Sequence, residues 1–288
     1  MYEHQIAAEQ KRETRNEKLE TLRPLIIAHR GASALAPENT LAAFRRAIAD
    51  GADGVEFDVR LSKDRVPVVI HDSTLGRTAG IKKRVADLTA EELSRLDAGS
   101  WFNVAHPGRA RSEFASEGIS SLRTVLQTVE KAPGPIYIEL KCESERTLSP
   151  LIDAVCREIE RSPFLDRMIL KSFRLGVIPQ VRAVLPGVRT AALFAPQVMR
   201  LLRKEKYLIN IARELGADHL SLHKSLVNRK LIRKAEKYGI PVTLWTANSP
   251  RWIARATKQG AFAIITNDPS KMLARRDSKP RPQEFGNL

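Results

Sequence analysis

The sequence predicts an α/β fold, a (β/α)8 TIM barrel with a small insertion between the second strand and the second helix. Three observations support this prediction. Strand-like apolar runs alternate with helical patterns, which is typical of parallel strands joined by crossover helices. Polar residues follow several of these runs, where α/β folds place their chemistry. The chain has 288 residues, and α/β barrels often use about 250 residues as one domain.

Nine segments carry a strand pattern, one more than an eight-stranded barrel needs. They are residues 25–29, 53–59, 66–71, 136–141, 168–173, 189–194, 217–222, 241–246 and 262–266. The second and third are separated only by residues 60–65, which is too short for the crossover that parallel neighbours require. We therefore predict a hairpin in which the third segment folds back on the second. This hairpin returns His71 to about the level of Glu56 and Asp58, and it leaves eight parallel strands.

Helices are predicted between the strands from apolar spacing and from residues typical of helix ends. Leu122 to Val129 and Leu148 to Ile159 place apolar residues on one helical face. Asp268-Pro269 is typical of a helix start, and Gly260 stands where a helix end is expected.

The barrel domain is predicted to cover residues 23–276. Residues 72–119 do not fit the repeat, because they combine a turn-rich segment, one short helix with a capping box at Thr89 and Glu92, and the pair Trp101-Phe102. We expect them to form the insertion, on the active face of the barrel, where it covers one side of the site. Residues 1–22 are predicted to be a charged N-terminal extension, and residues 277–288 a disordered basic tail.

The net charge of +15 favours polyanionic partners, including peripheral contact with an anionic membrane. A specific nucleic-acid site is not expected, because the basic residues lie along helices without interleaved aromatic residues. No apolar run approaches the roughly 20 residues that span a bilayer, and the first residues lack the apolar core of a signal peptide. With only Cys142 and Cys156 as cysteines, a cytoplasmic location is predicted. The sequence predicts no particular oligomeric state.

Charged side chains gather at the C-terminal ends of the predicted strands, which is where barrel active sites form. The set consists of His29, Arg30, Glu56, Asp58, His71, Glu139 and Lys141. Because alternate residues of a strand share a face, Glu56 and Asp58 project together, as do Glu139 and Lys141.

Three converging carboxylates repel one another unless a cation neutralises them. An all-oxygen set suits one divalent cation, Mg²⁺ or Ca²⁺, better than zinc. The alternative is that the carboxylates form buried ion pairs with Arg30, Lys141 and other bases.

Two histidines beside such a cation can divide general-base and general-acid work. The alternatives are that His29 is a core residue and that His71 caps a turn with Asp72. Arg30 and Lys141 supply positive charge for an anionic group, and a phosphoryl group is the one we expect.

Eight segments carry a further signal when they are taken in chain order. They are His29-Arg30-Gly31, Pro37-Glu38-Asn39-Thr40, residues 54–58, residues 68–72, residues 138–141, Lys171-Ser172-Phe173, residues 244–248 and residues 264–269. This ordered set resembles the glycerophosphodiester phosphodiesterase family over about residues 25–275. The resemblance implies hydrolysis of a small-molecule glycerophosphodiester to sn-glycerol 3-phosphate and an alcohol, with Mg²⁺ or Ca²⁺.

The resemblance also implies roles for individual residues. His29 and His71 match the catalytic acid–base pair. Glu56, Asp58 and Glu139 match the metal ligands. Arg30 and Lys141 match the phosphate contacts. Trp245 matches an aromatic residue that lines the glycerol side, with a core tryptophan as the alternative.

Two departures from the family pattern stand out. Asn267-Asp268-Pro269 replaces the common Asp-Asp-Pro, and Ser120 to Arg123 replaces the frequent Pro-Thr-Leu-Glu. We expect both to alter the pocket wall and neither to touch the metal or acid–base residues. Two other functions stay open: a lysophospholipid-specific, phospholipase D-like phosphodiesterase on the same barrel, and a non-enzymatic polyanion-binding protein.

Overall fold

The computed structural model describes residues 23–278 except residues 203 and 205. Its strands are β1 Leu25–His29, β2 Gly54–Leu61, β3 Pro67–Val69, β4 Ile136–Leu140, β5 Met168–Ser172, β6 Arg189–Phe194, β7 His219–His223, β8 Val242–Trp245 and β9 Ala263–Thr266. The helices of this part of the chain are α1 Leu41–Ala49, α2 Gly76–Ala79, α3 Ala90–Ser94, α4 Ser100–Ala105, α5 Leu122–Val129, α6 Glu145–Ile159, α7 Val177–Val184, α8 Met199–Leu202, α9 Lys206–Glu214, α10 Arg229–Glu236, α11 Arg251–Gln259 and α12 Pro269–Asp277.

Eight of the strands form a closed parallel barrel. The hydrogen-bonded order is β1-β9-β8-β7-β6-β5-β4-β2, and β1 also pairs with β2, which closes the ring. The ninth strand, β3, lies antiparallel on β2. The predicted (β/α)8 barrel is therefore confirmed, with β3 as the extra strand.

The hairpin of β2 and β3 has the predicted register. Val59 lies opposite Val69, and beyond the last pair the amide of Ile70 donates to the carbonyl oxygen of Asp58 at 3.0 Å. Arg65 in the connecting turn has a positive φ of 61°, which lets the chain reverse within a few residues. The short connection thus places His71 beside the end of β2, as predicted.

The barrel strands are buried on both faces, as parallel strands covered by helices usually are. On β1, Ile27 points into the barrel, where it joins a cluster that includes Tyr137 and Ile265. Ile26 lies on the other face and packs with the surrounding helices. The inward cluster fills the barrel below the polar strand ends and forms the floor of the site.

The junction of β1 and α1 holds the first motif in a fixed geometry. Gly31 has a φ of +76°, and a methyl group on its Cα would lie 2.6 Å from the carbonyl carbon of Ala43. Thr40 is the N-cap of α1, and its side chain accepts a hydrogen bond from the amide of Ala43 at 3.3 Å. The tight approach of the loop to the helix requires glycine at position 31.

Residues 72–119 lie between the hairpin and α5 and contain α2, α3 and α4. They enclose a small apolar cluster with Leu75 and Leu93, which packs on Val68 and Ile70 of the hairpin segment. The expected capping box of Thr89 and Glu92 opens α3.

The predicted helix boundaries near the end of the chain also match. Gly260 ends α11 in the left-handed conformation, and Asp268 caps α12 through the amide of Lys271. Helix α12 reaches Asp277. The predicted extension of residues 1–22 and residues 279–288 of the predicted tail lie outside the described residues. Among the helices of residues 23–278, apart from the two gaps, none combines the length and apolarity needed to cross a bilayer.

Candidate active site

The C-terminal ends of β1, β2 and β4 bring the predicted carboxylates together. Parallel pairing places His29 beside Glu56, and Asp58 beside Glu139. Carboxylate oxygens of Glu56, Asp58 and Glu139 all lie within 4.8 Å of one another, and all three residues are buried. The same-face alternation expected from the sequence therefore produces one compact acidic cluster.

Each carboxylate of this cluster also has a cationic partner from the protein. The Nζ atom of Lys171 lies 2.8 Å from Oε1 of Glu56. Nε of Arg30 lies 3.1 Å from Oδ2 of Asp58, and Nζ of Lys141 lies 2.6 Å from Oε1 of Glu139. The buried ion pairs left open by the sequence are thus present, and charge repulsion alone does not require a metal.

The cations keep the carboxyl groups of Asp58 and Glu56 ionised. Burial would raise the pKa of Asp58, but Arg30 and Lys141 outweigh it and hold that pKa well below its usual range. Burial also acts to raise the pKa of Glu56, and Lys171 with His29 lowers it on balance. Anionic oxygens are therefore available for a cation at neutral pH.

The donor set fits one divalent cation. Oδ1 of Asp58 is buried and accepts no hydrogen bond from any described residue, and the Nζ atom of Lys141 lies 3.4 Å away from it. An oxygen left unbonded between two further carboxylates suits a hard cation such as Mg²⁺ or Ca²⁺.

His29 is held at the end of β1 by a residue that follows β9. Its Nδ1 atom lies 2.6 Å from Oδ1 of Asn267, and its Nε2 atom lies 3.8 Å from Oε2 of Glu56. An amide oxygen only accepts, so this assignment puts the ring proton on Nδ1 and leaves Nε2 for the site. Burial lowers the pKa of His29, against the opposing charge of Glu56.

This contact corrects one expectation from the sequence. The departure at Asn267 was expected to leave the acid–base residues untouched, which is wrong, because Asn267 is the direct partner of His29. The physical reason is barrel closure, since β9 pairs with β1 and places the loop after β9 against the end of β1.

His71 reaches the site from the hairpin and is anchored by a chain of ion pairs. Its Nδ1 atom lies 2.7 Å from Oδ1 of Asp72, and Oδ2 of Asp72 lies 2.6 Å from Nε of Arg77. Arg77 then contacts Glu38 at 2.6 Å, and Glu38 contacts Arg30 at 2.9 Å.

This chain of ion pairs holds the carboxyl groups of Asp72 and Glu38 in the anionic form. Burial would raise the pKa of Asp72, but its bonds to Arg77 and His71 lower it to about 2. Glu38 also has a lowered pKa, because Arg77 and Arg30 outweigh the effect of burial. The two loops that carry His71 and Arg30 are thereby tied together through Arg77 of residues 72–119.

Trp245 lies apart from the carboxylates, on the far side of the barrel mouth. It ends β8, and its ring meets Phe173 and His223 edge to face with centroid distances of 5.6 and 5.3 Å. Phe173 follows β5 and is 47% exposed. The mouth therefore has a charged side near β2 and β4 and an aromatic side that runs from Phe173 after β5 to Trp245 on β8.

Several residues of the site belong to segments noted in the sequence but had no role predicted for them. Lys171 is buried against Glu56, and its place near the end of β5 is the same signal that identified Glu139. Asn39 donates from Nδ2 to Oδ2 of Asp58 at 3.0 Å, a role that the motif Pro37 to Thr40 does not reveal by spacing. Asn267 has no local signal, because its contact depends on the closed barrel.

Comparison with known proteins shows consistent similarity. Residues 29–271 match the model of the glycerophosphoryl diester phosphodiesterase family. The chain is 34% identical over 259 residues to a glycerophosphodiester phosphodiesterase of Caldanaerobacter subterraneus, covering 88% of this chain and 97% of that relative.

Solved structures give the same picture. A phosphodiesterase of Oleispira antarctica in complex with the product sn-glycerol-3-phosphate has a TM-score of 0.76 and 26% identity, covering 90% of this chain and 99% of that one. A glycerophosphodiester phosphodiesterase of Thermotoga maritima has a TM-score of 0.66 and 27% identity, covering 87% and 97% of the two chains.

Proposed function

Because this chain belongs to the glycerophosphoryl diester phosphodiesterase family and is a phosphoric diester hydrolase, we propose that it releases sn-glycerol 3-phosphate and an alcohol from glycerophosphodiesters. The observation that carries this proposal is the acidic cluster of Glu56, Asp58 and Glu139 beside His29 at the barrel mouth. The product bound in the Oleispira antarctica relative supports the choice of product.

Phosphate binding is proposed for Arg30 and Lys141. Both side chains are mostly buried at the mouth, where their charges act in a low-dielectric setting. Arg30 offers a planar guanidinium, which suits phosphoryl oxygens in two directions, and Lys141 offers a compact point charge. Trp245, with Phe173 beside it, is proposed to line the glycerol side, since a ring face suits the carbon backbone of glycerol.

Glu56, Asp58 and Glu139 would hold one divalent cation, Mg²⁺ or Ca²⁺. When bound, the cation supplies positive charge to the phosphoryl oxygens as negative charge develops on them. The three carboxylates are already balanced by Arg30, Lys141 and Lys171. A divalent cation would therefore leave a net positive site, which favours an anionic diester.

The histidines are proposed to move the protons. His29 is the base: burial lowers its pKa and keeps the ring neutral, and its Nε2 atom is free to accept a proton from the attacking oxygen. His71 is the acid, with Nδ1 held by Asp72 and Nε2 left to donate. A new P–O bond forms, the P–O bond to the alcohol breaks, and the leaving oxygen takes the proton of His71.

The test is turnover of glycerophosphocholine with and without divalent cation. We expect glycerol 3-phosphate only when Mg²⁺ or Ca²⁺ is present, and loss of activity in His29→Ala. His106→Gln changes an exposed histidine and is the matched control. Activity that survives both EDTA and His29→Ala would sink the proposal. Lysophosphatidylcholine in a parallel assay separates the lysophospholipid-specific alternative.

A single-turnover experiment identifies the attacking oxygen. A cyclic phosphate that forms first and then decays assigns the attack to a hydroxyl of the substrate. Direct appearance of glycerol 3-phosphate assigns it to water.

A cytoplasmic location and contact with anionic membranes stay predictions.

A further inference from the structure

A cavity of about 480 Å³ opens beside the proposed active site, next to Lys141. Its walls come from the turn between β2 and β3, from residues 84–86 and from the start of α6. The charged residues in its lining are six cations and one anion, which are Arg60, Lys63, Arg65, Arg84, Lys141, Arg146 and Glu143. We call this cavity the basic pocket.

The basic pocket begins where the proposed active site ends. Lys141 belongs to both, because it lines the pocket while its Nζ atom lies 2.6 Å from Glu139. Arg60 follows Asp58 on the same face of β2, and its Nε atom donates to the carbonyl oxygen of His71 at 2.8 Å. Lys141 therefore connects the proposed phosphate site with the pocket.

Three of the six cations that line the pocket have no ion-pair partner among the described residues. Arg60 pairs with Glu143, and Arg84 pairs with Asp87. The exposed side chains of Lys63, Arg65 and Arg146 form no ion pair with any described residue. Three separate segments bring like charges to one concave surface, which costs energy in the free protein and raises the local concentration of anions.

We propose that the basic pocket binds an anionic group on the leaving alcohol, so that the preferred substrates are glycerophosphodiesters whose alcohol carries a phosphate. This inference rests on the proposed function. The aromatic side of the mouth runs from Phe173, whose ring centroid lies 6.0 Å from Nζ of Lys141, to Trp245 on the far side of the barrel, and Trp245 is the residue proposed to line the glycerol. The alcohol then points towards β2 and β4, where the pocket opens. Its volume lies within the range of about 300–1,000 Å³ that small-molecule sites usually have.

The test compares glycerophosphoinositol with glycerophosphoinositol 4-phosphate, which differ by one phosphate. We expect a kcat/KM about tenfold higher for the 4-phosphate, a difference of about 1.4 kcal/mol. Raising the ionic strength should reduce this preference, because the cations that carry it are exposed and therefore screened by salt.

The double variant Lys63→Gln/Arg146→Gln removes two of the cations that have no ion-pair partner. We expect the ratio of the two kcat/KM values to fall towards one, mainly through KM for the 4-phosphate. The matched control is Arg233→Gln/Lys237→Gln, which removes two exposed cations from the end of α10, at the opposite end of the barrel. The control should keep the wild-type ratio.

Three outcomes would overturn the inference, and they distinguish the pocket from the proposed function. Equal kcat/KM values in the wild-type enzyme, or a ratio unchanged in the double variant, contradict the basic pocket while glycerophosphodiester hydrolysis stands. No turnover of either substrate in the presence of Mg²⁺ or Ca²⁺ contradicts the proposed function, and the pocket with it.

Discussion

The orientation of His29 depends on Asn267, which lies 238 residues further along the chain. A neutral imidazole has two tautomers, and only one presents a free Nε2 lone pair to the site. The amide oxygen of Asn267 accepts from Nδ1 and thereby selects this tautomer. Asn267 touches neither the acidic cluster nor the phosphate contacts in any described hydrogen bond, so it acts as a positioning residue.

Replacement of Asn267 by leucine should therefore slow the reaction. We expect kcat to fall on the order of 10–100-fold with little change in KM. Hydrogen-bond partners that orient a histidine through its other ring nitrogen have effects of this size in metal sites. Asn267→Asp keeps an acceptor at Nδ1 and should retain most of the activity. Steady-state kinetics of both variants is the measurement. A leucine variant that changes KM alone would contradict the positioning role.

At the same scale, three consecutive residues of the motif Pro37 to Thr40 have three different structural roles. Glu38 bridges Arg30 and Arg77, Asn39 binds Asp58, and Thr40 caps α1. The cap could be predicted from residue type and position, because capping is local. The bridge could not, because Arg77 belongs to a segment with no repeat pattern.

Among the elements, α1 fixes the loop that follows β1 through Gly31. This residue has a positive φ and lies against the backbone of Ala43, so an added methyl group meets main-chain atoms at 2.6 to 2.8 Å. The loop cannot shift independently, because the amide of Ala32 donates to the carbonyl oxygen of Ala43 at 2.9 Å. The position of His29 and Arg30 thus depends on how closely loop and helix approach.

We expect Gly31→Ala to lower the free energy of unfolding by more than about 2 kcal/mol, since the left-handed conformation alone costs an L-residue about 1–2 kcal/mol and the contact with Ala43 adds to it. Activity should fall as well, because the loop carries His29. Gly187→Ala is the control, as that glycine has open space around its Cα and no positive φ. Urea unfolding of the two variants is the measurement. Equal unfolding midpoints would contradict this view of the junction.

The hairpin of β2 and β3 shows what element spacing can predict. Residues 60–65 are too few for a parallel crossover, so the reversal and the return of His71 followed from connection length alone. The fold of residues 72–119 did not follow in the same way. Those residues pack around their own small cluster on Val68 and Ile70, and irregular turns leave no periodic pattern to interpret.

At the scale of the whole molecule, the sequence predicts the barrel but not the side-chain contacts that its closure creates. Strand number and polar strand ends identify the active face and the acidic cluster. Contacts between residues far apart in the sequence, such as Lys171 with Glu56 and Asn267 with His29, depend on side-chain reach in three dimensions. The cations that balance the carboxylates belong to this second class, and they remove the charge repulsion from which the sequence predicted a metal.

The closed barrel also buries a histidine that the proposed reaction does not use. His219 starts β7, is 4% exposed, and packs edge to face against Tyr137 and Phe262. Its Nδ1 atom has no hydrogen-bond partner among the described residues. Burial, helped by the charge of Arg189, lowers the pKa of His219 to about 4. The interior therefore favours the neutral form of this ring.

This burial makes stability depend on pH. An unfolded histidine has a pKa of about 6.5, so between that value and about 4 the unfolded chain binds more protons than the native one. Stability is then lost as the pH falls through this window, by about 2 kcal/mol at pH 5 from His219 alone. We expect His219→Leu to remove this component, so that its free energy of unfolding varies less between pH 7 and pH 5 than that of the wild type. His106→Gln, an exposed control, should keep the wild-type dependence. Urea unfolding at both pH values is the measurement, and parallel wild-type and His219→Leu profiles would show that the native barrel tolerates the protonated ring.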